Sequence, residues 1–593
     1  MRLINTQSLE LEEFIGGTVP PYMILSHTWA ENNDDEVSFQ DMGSPSRVFK
    51  PGYEKITHAC HLASDQNVGH VWIDTCCIDK SSSAELTESI NSMFQYYRRA
   101  VSCLAYLEDL GPSDDSLPEC RWMTRGWTLQ ELIAPKHVEF YDKNWRHRGT
   151  KLDFAKAISE GANIPGPVLS GDKKLESCSV AERMSWAAER KTTRVEDMAY
   201  CLLGIFDVNM SLIYGEGPKA FRRLQEEIIK RNNDPTILAW GVSSPHYGSV
   251  SGVLADSPAV FKDSSWIVPN DADFPEFSIT NKGLLMSSRS NLMFAARPKL
   301  PGAEYDEDLE RHDLIVMYFL VLGKGTEEDS VSGICLRKVG SETFHREGQV
   351  VVVPTFADPS LYSHRNWPEL QNFYILIDIS VNLPDALAAP RREAIHVPDA
   401  ADLHSPQLEW SAPERLWDMT DNVFLRTYSL SYPRFSLVLA LWFQMQVQET
   451  ELKFIVLCEY TGQGPSCKLL NVTDSFDASL KTLLMQARSY QDWLSWEALS
   501  AQAPVINTLT RHESFRVADG SISIAARFEK TAVKLHATQA EVYSLKFEVK
   551  HKGRNDVIAK ALPRDSLPSE TAKAPIRSWV RSTLSTLRRA PKS

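Results

Sequence analysis

The first 150 residues alternate short, uniformly apolar runs with segments whose apolar side chains recur every three to four positions. YMILS (22–26), VWID (71–74), VSCLAYL (101–107) and HVEFY (137–141) are the runs, each of strand length. Between the first two, Tyr53, Ile56, Cys60 and Ala63 set a helical stripe over 53–68. Next, Ser82-Ser83-Ala84-Glu85 is a capping box, opening a helix with Leu86, Ile90, Met93, Phe94 and Tyr97 on one face. Arg98 and Arg99 suit the carboxyl end of its dipole. Between the third and fourth runs lies the RGWTLQEL helix, stopped before Pro135. Strands apolar at every position and separated by helices predict a parallel α/β sheet covered on both faces. Such sheets bind ligands at the carboxyl ends of their strands, so Ser26, Asp74 and the loop before Trp127 are placed on one rim.

From about 156 to 232 the pattern is helical, with candidates at 180–190, 193–206 and 217–231. The last has Phe221, Leu224 and Ile228 on one face, and Tyr214-Gly215-Glu216-Gly217-Pro218 punctuates before it. After about 236, β-rich runs separated by Gly, Pro, Asp and Ser take over, at 313–322, 348–356, 372–380, 435–443 and 453–460. They predict an antiparallel, sandwich-like domain with loops at 357–371 and 381–412. It would sense a ligand or partner, or cover and restrain the first domain. The expected division is therefore 1–155, 156–235, 236–565 and a basic tail at 566–593. In the tail Ile576, Trp579, Val580, Leu584 and Leu587 form a stripe beside Arg577, Arg581, Arg588 and Arg589. A helix of that kind lies on an anionic membrane or partner, or simply packs on the body; the second reading is preferred.

A chain of 593 residues is too long for one core and implies two to four domains. A net charge of −14 argues against nucleic acid as a partner. The ten cysteines form no CxxC and no zinc-ligand spacing, which fits reduced thiols in the cytoplasm and no metal. The start, MRLINTQSLELEEF, is no signal peptide, and FSLVLALWF (435–443) is far short of a membrane span. No P-loop is present, since Gly323-Lys324-Gly325 lacks both the first glycine and the hydroxyl residue, and no fixed-period repeat is found.

The densest chemistry sits in RWMTRGWTLQELIAP (121–135). Trp127 and Glu131 are one helical turn apart, with Arg121 and Arg125 on the turn before. An indole, a carboxylate and guanidiniums so placed can stack a flat ring, hold a ribose hydroxyl and neutralise a phosphate; equally, Trp127 can be core and Glu131 an ion-pair partner of Arg125. His27 is a candidate acid or base, or a histidine that orients Trp29. Cys76-Cys77 read as sheet packing or as redox-sensitive thiols. His58, Cys60 and His61 lack a further ligand for a metal, and Arg194 with Asp197 reads as a charged cluster at a helix start.

Several long stretches resemble fungal heterokaryon incompatibility (HET) domains: PPYMILSHTWA (20–30), VWIDTCCIDK (71–80), AELTESINSMFQYYRRA (84–100), CLAYLEDL (103–110), RWMTRGWTLQELIAP and VEFYDKNWRHRGTK (138–151). The likeness continues through 183–230 and covers about the first 230 residues. Ala30 departs from the glycine usual in the family after the tryptophan. Large family members add a nucleotide-binding switch and repeats, whose place the β-rich region takes here.

The resemblance implies a role in nonself recognition between fungal strains and in regulated cell death. HET domains are similar to TIR domains, of flavodoxin-like fold, several of which cleave NAD with a glutamate in a W-x-x-x-E helix. Trp127-Thr128-Leu129-Gln130-Glu131 has that spacing. On this analogy Glu131 is catalytic and Ser26, Trp29, Asp74, Arg125 and Trp127 bind nucleotide, NAD being substrate and no cofactor or metal being required. Alternatives are lethality through self-assembly of the HET domain without catalysis, and a binding module that has lost activity.

Overall fold

The computed structural model of the chain describes residues 1–15, 18–112, 117–242, 252–269, 274–287, 292–298, 314–326, 330–354, 372–378, 383–398, 405–412, 416–425, 437–447, 450–461, 464–471, 512–516, 522–535 and 539–551. The basic tail and the 357–371 loop lie outside the described residues.

The four apolar runs become strands. β1 (Arg2–Asn5), β2 (Leu11–Glu13), β3 (Met23–His27), β4 (His70–Ile73), β5 (Cys103–Tyr106), β6 (Val138–Tyr141) and β7 (His147–Thr150) form one seven-stranded sheet ordered β2-β1-β4-β3-β5-β6-β7. Pairing within β4-β3-β5-β6 is parallel. Every residue of β3 and β5 is buried, as sheets covered on both faces require. The chain leaves β3 toward β4 and then crosses back to β5, so the winding direction reverses between β3 and β5.

The crossover helices follow from that path. α1 (Gly52–Asp65) joins β3 to β4, whereas α2 (Ser83–Arg99) and the pair α3 (Arg121–Thr124) and α4 (Thr128–Ile133) belong to crossovers running the other way. Right-handed connections put these two sets on opposite faces. Trp72 of β4 is sealed against the rings of Tyr96 and Tyr97 on α2.

Both sheet edges differ from the all-parallel expectation. The β1–β2 hairpin runs antiparallel to β4, and β7 runs antiparallel to β6, so the sheet is mixed. Neither addition carries an apolar run. β1 buries only Leu3 and Ile4, and β7 is half-buried to exposed throughout.

In the helical region α5 (Val180–Ser185), α6 (Asp197–Tyr200) and α7 (Lys219–Ile229) replace the longer predicted helices. The 193–206 stretch contains helix only at Asp197–Tyr200 and continues as hydrogen-bonded turns. Gly204 there lies so close to α2 that a Cβ would stand 2.1 Å from Cβ of Phe94, and tertiary packing overrides the apolar period.

The region after residue 240 is β-rich, as expected, and its described residues build three sheets of seven, six and four strands. Most pairing is antiparallel; Thr343–Pro354 with Asn372–Ile375, and Ile395–His396 with Gln539–His551, are parallel. Phe547 of the six-stranded sheet meets Phe443 and Phe454 of the four-stranded one at 4.8 and 5.7 Å between ring centres. The 381–412 stretch, expected as loop, holds a helix at Leu383–Ala388 and strands at Ile395–His396 and Gln407–Ala412.

Side chains tie this region to the helices. Gln225 of α7 bonds the backbone N–H and C=O of Ala255. Buried Arg346 donates to the carbonyls of Leu238 at 2.9 Å and Trp240 at 2.5 Å, its guanidinium lying 3.4 Å over the Trp240 ring.

Candidate functional site

The carboxyl ends of β3 and β5, where the winding reverses, place Ser26 against Glu131. Ser26 is fully buried, and its Oγ donates to Oε2 of Glu131. The same oxygen accepts the indole N–H of Trp122 at 2.6 Å. Tyr97, from α2, lies beside the Glu131 side chain, and its hydroxyl donates to the Leu25 carbonyl at 3.5 Å. Three elements thus converge on one carboxyl group: β3 through Ser26, α2 through Tyr97, and α3 through Trp122 behind Ser26.

Burial pushes the Glu131 carboxyl up to about 7; the Ser26 hydrogen bond opposes this, the Asp74 charge adds to it, and the Arg125 charge opposes it. The group therefore exchanges its proton near neutral pH. A carboxylate standing open at the rim is not what the fold provides, because Glu131 is 8% exposed and every residue of α4 is buried. The polar letters of TLQELI suggest an amphipathic helix, and only the tertiary partners reveal that Glu131 lies inside.

A second group adjoins it at the ends of β3 and β4. Trp29 Nε1 donates to Oδ2 of Asp74 at 2.9 Å, and Nζ of Lys80 lies 3.7 Å over the Trp29 ring. Glu36 accepts from Nζ of Lys55 at 2.6 Å and from the Ala30 N–H at 2.8 Å. His27 sits between Glu36 and Asp74, at 3.8 and 3.9 Å, with no hydrogen-bond partner for either ring nitrogen among the described residues. Burial, aided by the Lys55 charge, lowers its pKa to about 3, so it is neutral at physiological pH. His27 makes no hydrogen bond that would orient Trp29; Asp74 does that.

The 121–135 segment is two short helices rather than one. Arg125 is extended (φ −80°, ψ 143°), so the chain bends at Arg125-Gly126 before α4 begins. The bend separates the two tryptophans. The Trp127 indole bonds the carboxylate of Asp197, which also accepts from the Tyr214 hydroxyl at 3.0 Å. Trp122, rather than Trp127, bonds the Ser26 hydroxyl that donates to Glu131. Arg121 is exposed, and its backbone N–H bonds Asp109. Arg125 acts on Glu131 through its charge, while its carbonyl accepts from Arg190 at 2.8 Å. Of the residues read from the sequence, Ser26 and Glu131 bond directly, Asp74 and Arg125 act on Glu131 electrostatically, Trp29 is joined through Asp74, and Trp127 is engaged elsewhere.

Trp122, Tyr97 and Arg190 were missed. Trp122 and Tyr97 look like core residues in an apolar period, and Arg190 lies sixty residues away with no local signal.

The remaining candidates are structural in their contacts. Cys76 and Cys77 are buried, and burial pushes the Cys77 thiol well up. His58 stacks on Trp145, which stacks on Tyr106. Arg194 lies over the Tyr214 ring, whose hydroxyl bonds Asp197, and its charge also acts on Asp197 directly. No group of residues able to hold a metal occurs among the described residues.

The family described as Heterokaryon incompatibility protein (HET) matches residues 22–118, and the chain carries a HET domain. That match includes Ser26, Trp29, Asp74 and Tyr97 and ends before Trp122 and Glu131. Vegetative incompatibility protein HET-E-1 of Podospora anserina is 43% identical over 266 residues, which is 43% of this chain and 19% of that protein. The match therefore spans about a fifth of the relative's length. A domain of unknown function, DUF8212, matches residues 219–291, from α7 into the first strands of the β-rich region. No solved structure matches the chain.

Proposed function

We propose that this chain is an effector of fungal nonself recognition whose HET domain brings about regulated cell death. The observation that carries the reading is the 43% identity to a vegetative incompatibility protein, together with the HET match over 22–118. The expected site of action is the cytoplasm, and no helix among the described residues is long and apolar enough to cross a membrane. The β-rich region restrains the HET domain or receives the signal that releases it, and self-assembly through the HET domain is a route to activation. The test is induced expression of the full chain in a fungal host. Loss of colony-forming cells is expected, and unchanged growth at a verified protein level contradicts it.

One observation favours a chemical reading of the same site. Glu131 lies where the parallel strands reverse direction, and its proton equilibrium is poised near pH 7. On this reading the site is TIR-like and Glu131 favours the oxocarbenium-like charge that forms as the nicotinamide–ribose bond of NAD breaks. The bonding pair leaves with nicotinamide, the oxygen of water joins the ribose carbon, and one proton is released. Glu131 is covered in this conformation, so the reading requires an opened state. Falling NAD with rising free nicotinamide before viability drops supports it. Death with NAD intact supports lethality without catalysis.

A further inference from the structure

The bend that carries both Trp122 and Glu131 is held from outside the sheet domain. Arg190 is 6% exposed, and its Nη1 donates to the Arg125 carbonyl at 2.8 Å and to Thr128 Oγ1 at 3.0 Å. Thr128 Oγ1 in turn donates to the carbonyls of Trp122 and, at 2.9 Å, of Arg125. One guanidinium therefore ties the end of α3 to the first residue of α4. The backbone repeats the tie: Lys191 N–H donates to Thr124 O at 2.7 Å, and Gly126 N–H donates to Lys191 O at 2.8 Å. Asp197 holds Trp127 on the same side. Nε of Arg190 is fixed to the Trp186 carbonyl at 3.2 Å, so the clamp is itself anchored.

We propose that Arg190 is a positioning residue for Glu131, clamping the 124–128 bend so that Trp122 and Glu131 meet Ser26 together. The working unit of the HET domain then extends from β1 through at least Asp197. This inference rests on the reading that Glu131 is the working carboxyl group. A buried guanidinium is costly unless its donors are used, and here Nε and Nη1 grip three partners across two segments while Nη2 is buried with no hydrogen-bond partner among the described residues. Its charge and that of Glu131 act on each other through a protein interior that screens them poorly.

The test reads Glu131 directly. Infrared carbonyl difference spectra of the full chain, with Glu131→Gln to assign the band, give its titration midpoint in the presence of its neighbours Ser26, Tyr97, Asp74 and Arg125. Arg190→Gln is expected to raise its proton affinity by at least about threefold, through loss of register with Ser26 and of one nearby positive charge. Thr128→Val, which leaves all charges in place, is expected to raise it by at least about twofold through loss of register with Ser26, and Arg190→Lys to stay within about threefold of the parent. A role in folding alone would lower the melting temperature and leave the midpoint where it is. A midpoint unmoved in Arg190→Gln overturns the proposal; if that variant does not fold, an unmoved midpoint in Thr128→Val does so. Cell killing by Glu131→Gln at the parent's level would instead remove the reading beneath the proposal, while the titration still decides whether Arg190 positions Glu131.

Discussion

At Glu131 the proton, not a charge, is what folding stabilises. Its pKa rises from 4.5 to about 7 because burial disfavours the carboxylate. Between these values the folded chain keeps a proton that the unfolded chain has lost, so stability falls as pH rises across that window and levels off above it. A shift of this size corresponds to roughly 2–4 kcal/mol at most. Glu131→Gln cannot titrate and escapes the loss. Melting curves at pH 5 and pH 8 are expected to show the variant gaining on the parent at the higher pH; an equal difference at both would mean that Glu131 is hydrated. The residue was legible in the sequence through its W-x-x-x-E spacing, and so were Ser26 and Asp74 through their places at strand ends. Tyr97 and Trp122 were not, because a side chain that supplies both core area and one hydrogen bond looks like any other apolar position.

Among the elements, the strands were the most readable and the bend at Gly126 the least. β3 to β6 are short and bury nearly every residue, so composition alone marks them. The bend depends on a backbone partner supplied by Lys191, with which Arg125 forms an isolated parallel bridge. Gly126 permits that approach, since a Cβ there would stand 2.5 Å from Cγ2 of Thr192 and 3.1 Å from Sγ of Cys201. Gly126→Ala is therefore expected to force the two segments apart and to cost about 1–3 kcal/mol, as overpacking usually does. Denaturant titration of the full chain checks this, and an unchanged midpoint would show that the close approach is dispensable. Lys151 secures the far end of α4, its Nζ donating to the carbonyls of Leu132 and Pro135 at 3.3 and 2.6 Å. Burial lowers this lysine from 10.5 to about 8, so between those values the unfolded chain holds a proton that the folded chain has given up, and stability rises with pH across that window.

Across the whole molecule, the HET sheet, the helical extension and the β-rich sheets are joined by buried polar groups that no local pattern announces. Arg391 pairs with Asp418 and Asp421 and donates to the Lys338 carbonyl at 3.1 Å, and Arg346 grips Leu238 and Trp240. Arg391→Met would take the guanidinium away from two buried carboxylates, a change that costs about 3–5 kcal/mol. Its expected signature is a β-rich region that melts ahead of the HET domain, read by calorimetry as two transitions where the parent has fewer. A single unshifted transition would mean that the cluster contributes little. The β-rich character could be read from turn-punctuated apolar runs; the pairing of its sheets could not, because it joins strands far apart in the chain, such as Ile395–His396 with Gln539–His551.

The most direct measurement is the count of colony-forming fungal cells after induction of the full chain and of Glu131→Gln, at matched protein levels. The parent is expected to lower the count at least about tenfold and the variant to restore it. Equal killing by both would contradict the assignment of lethality to this carboxyl group.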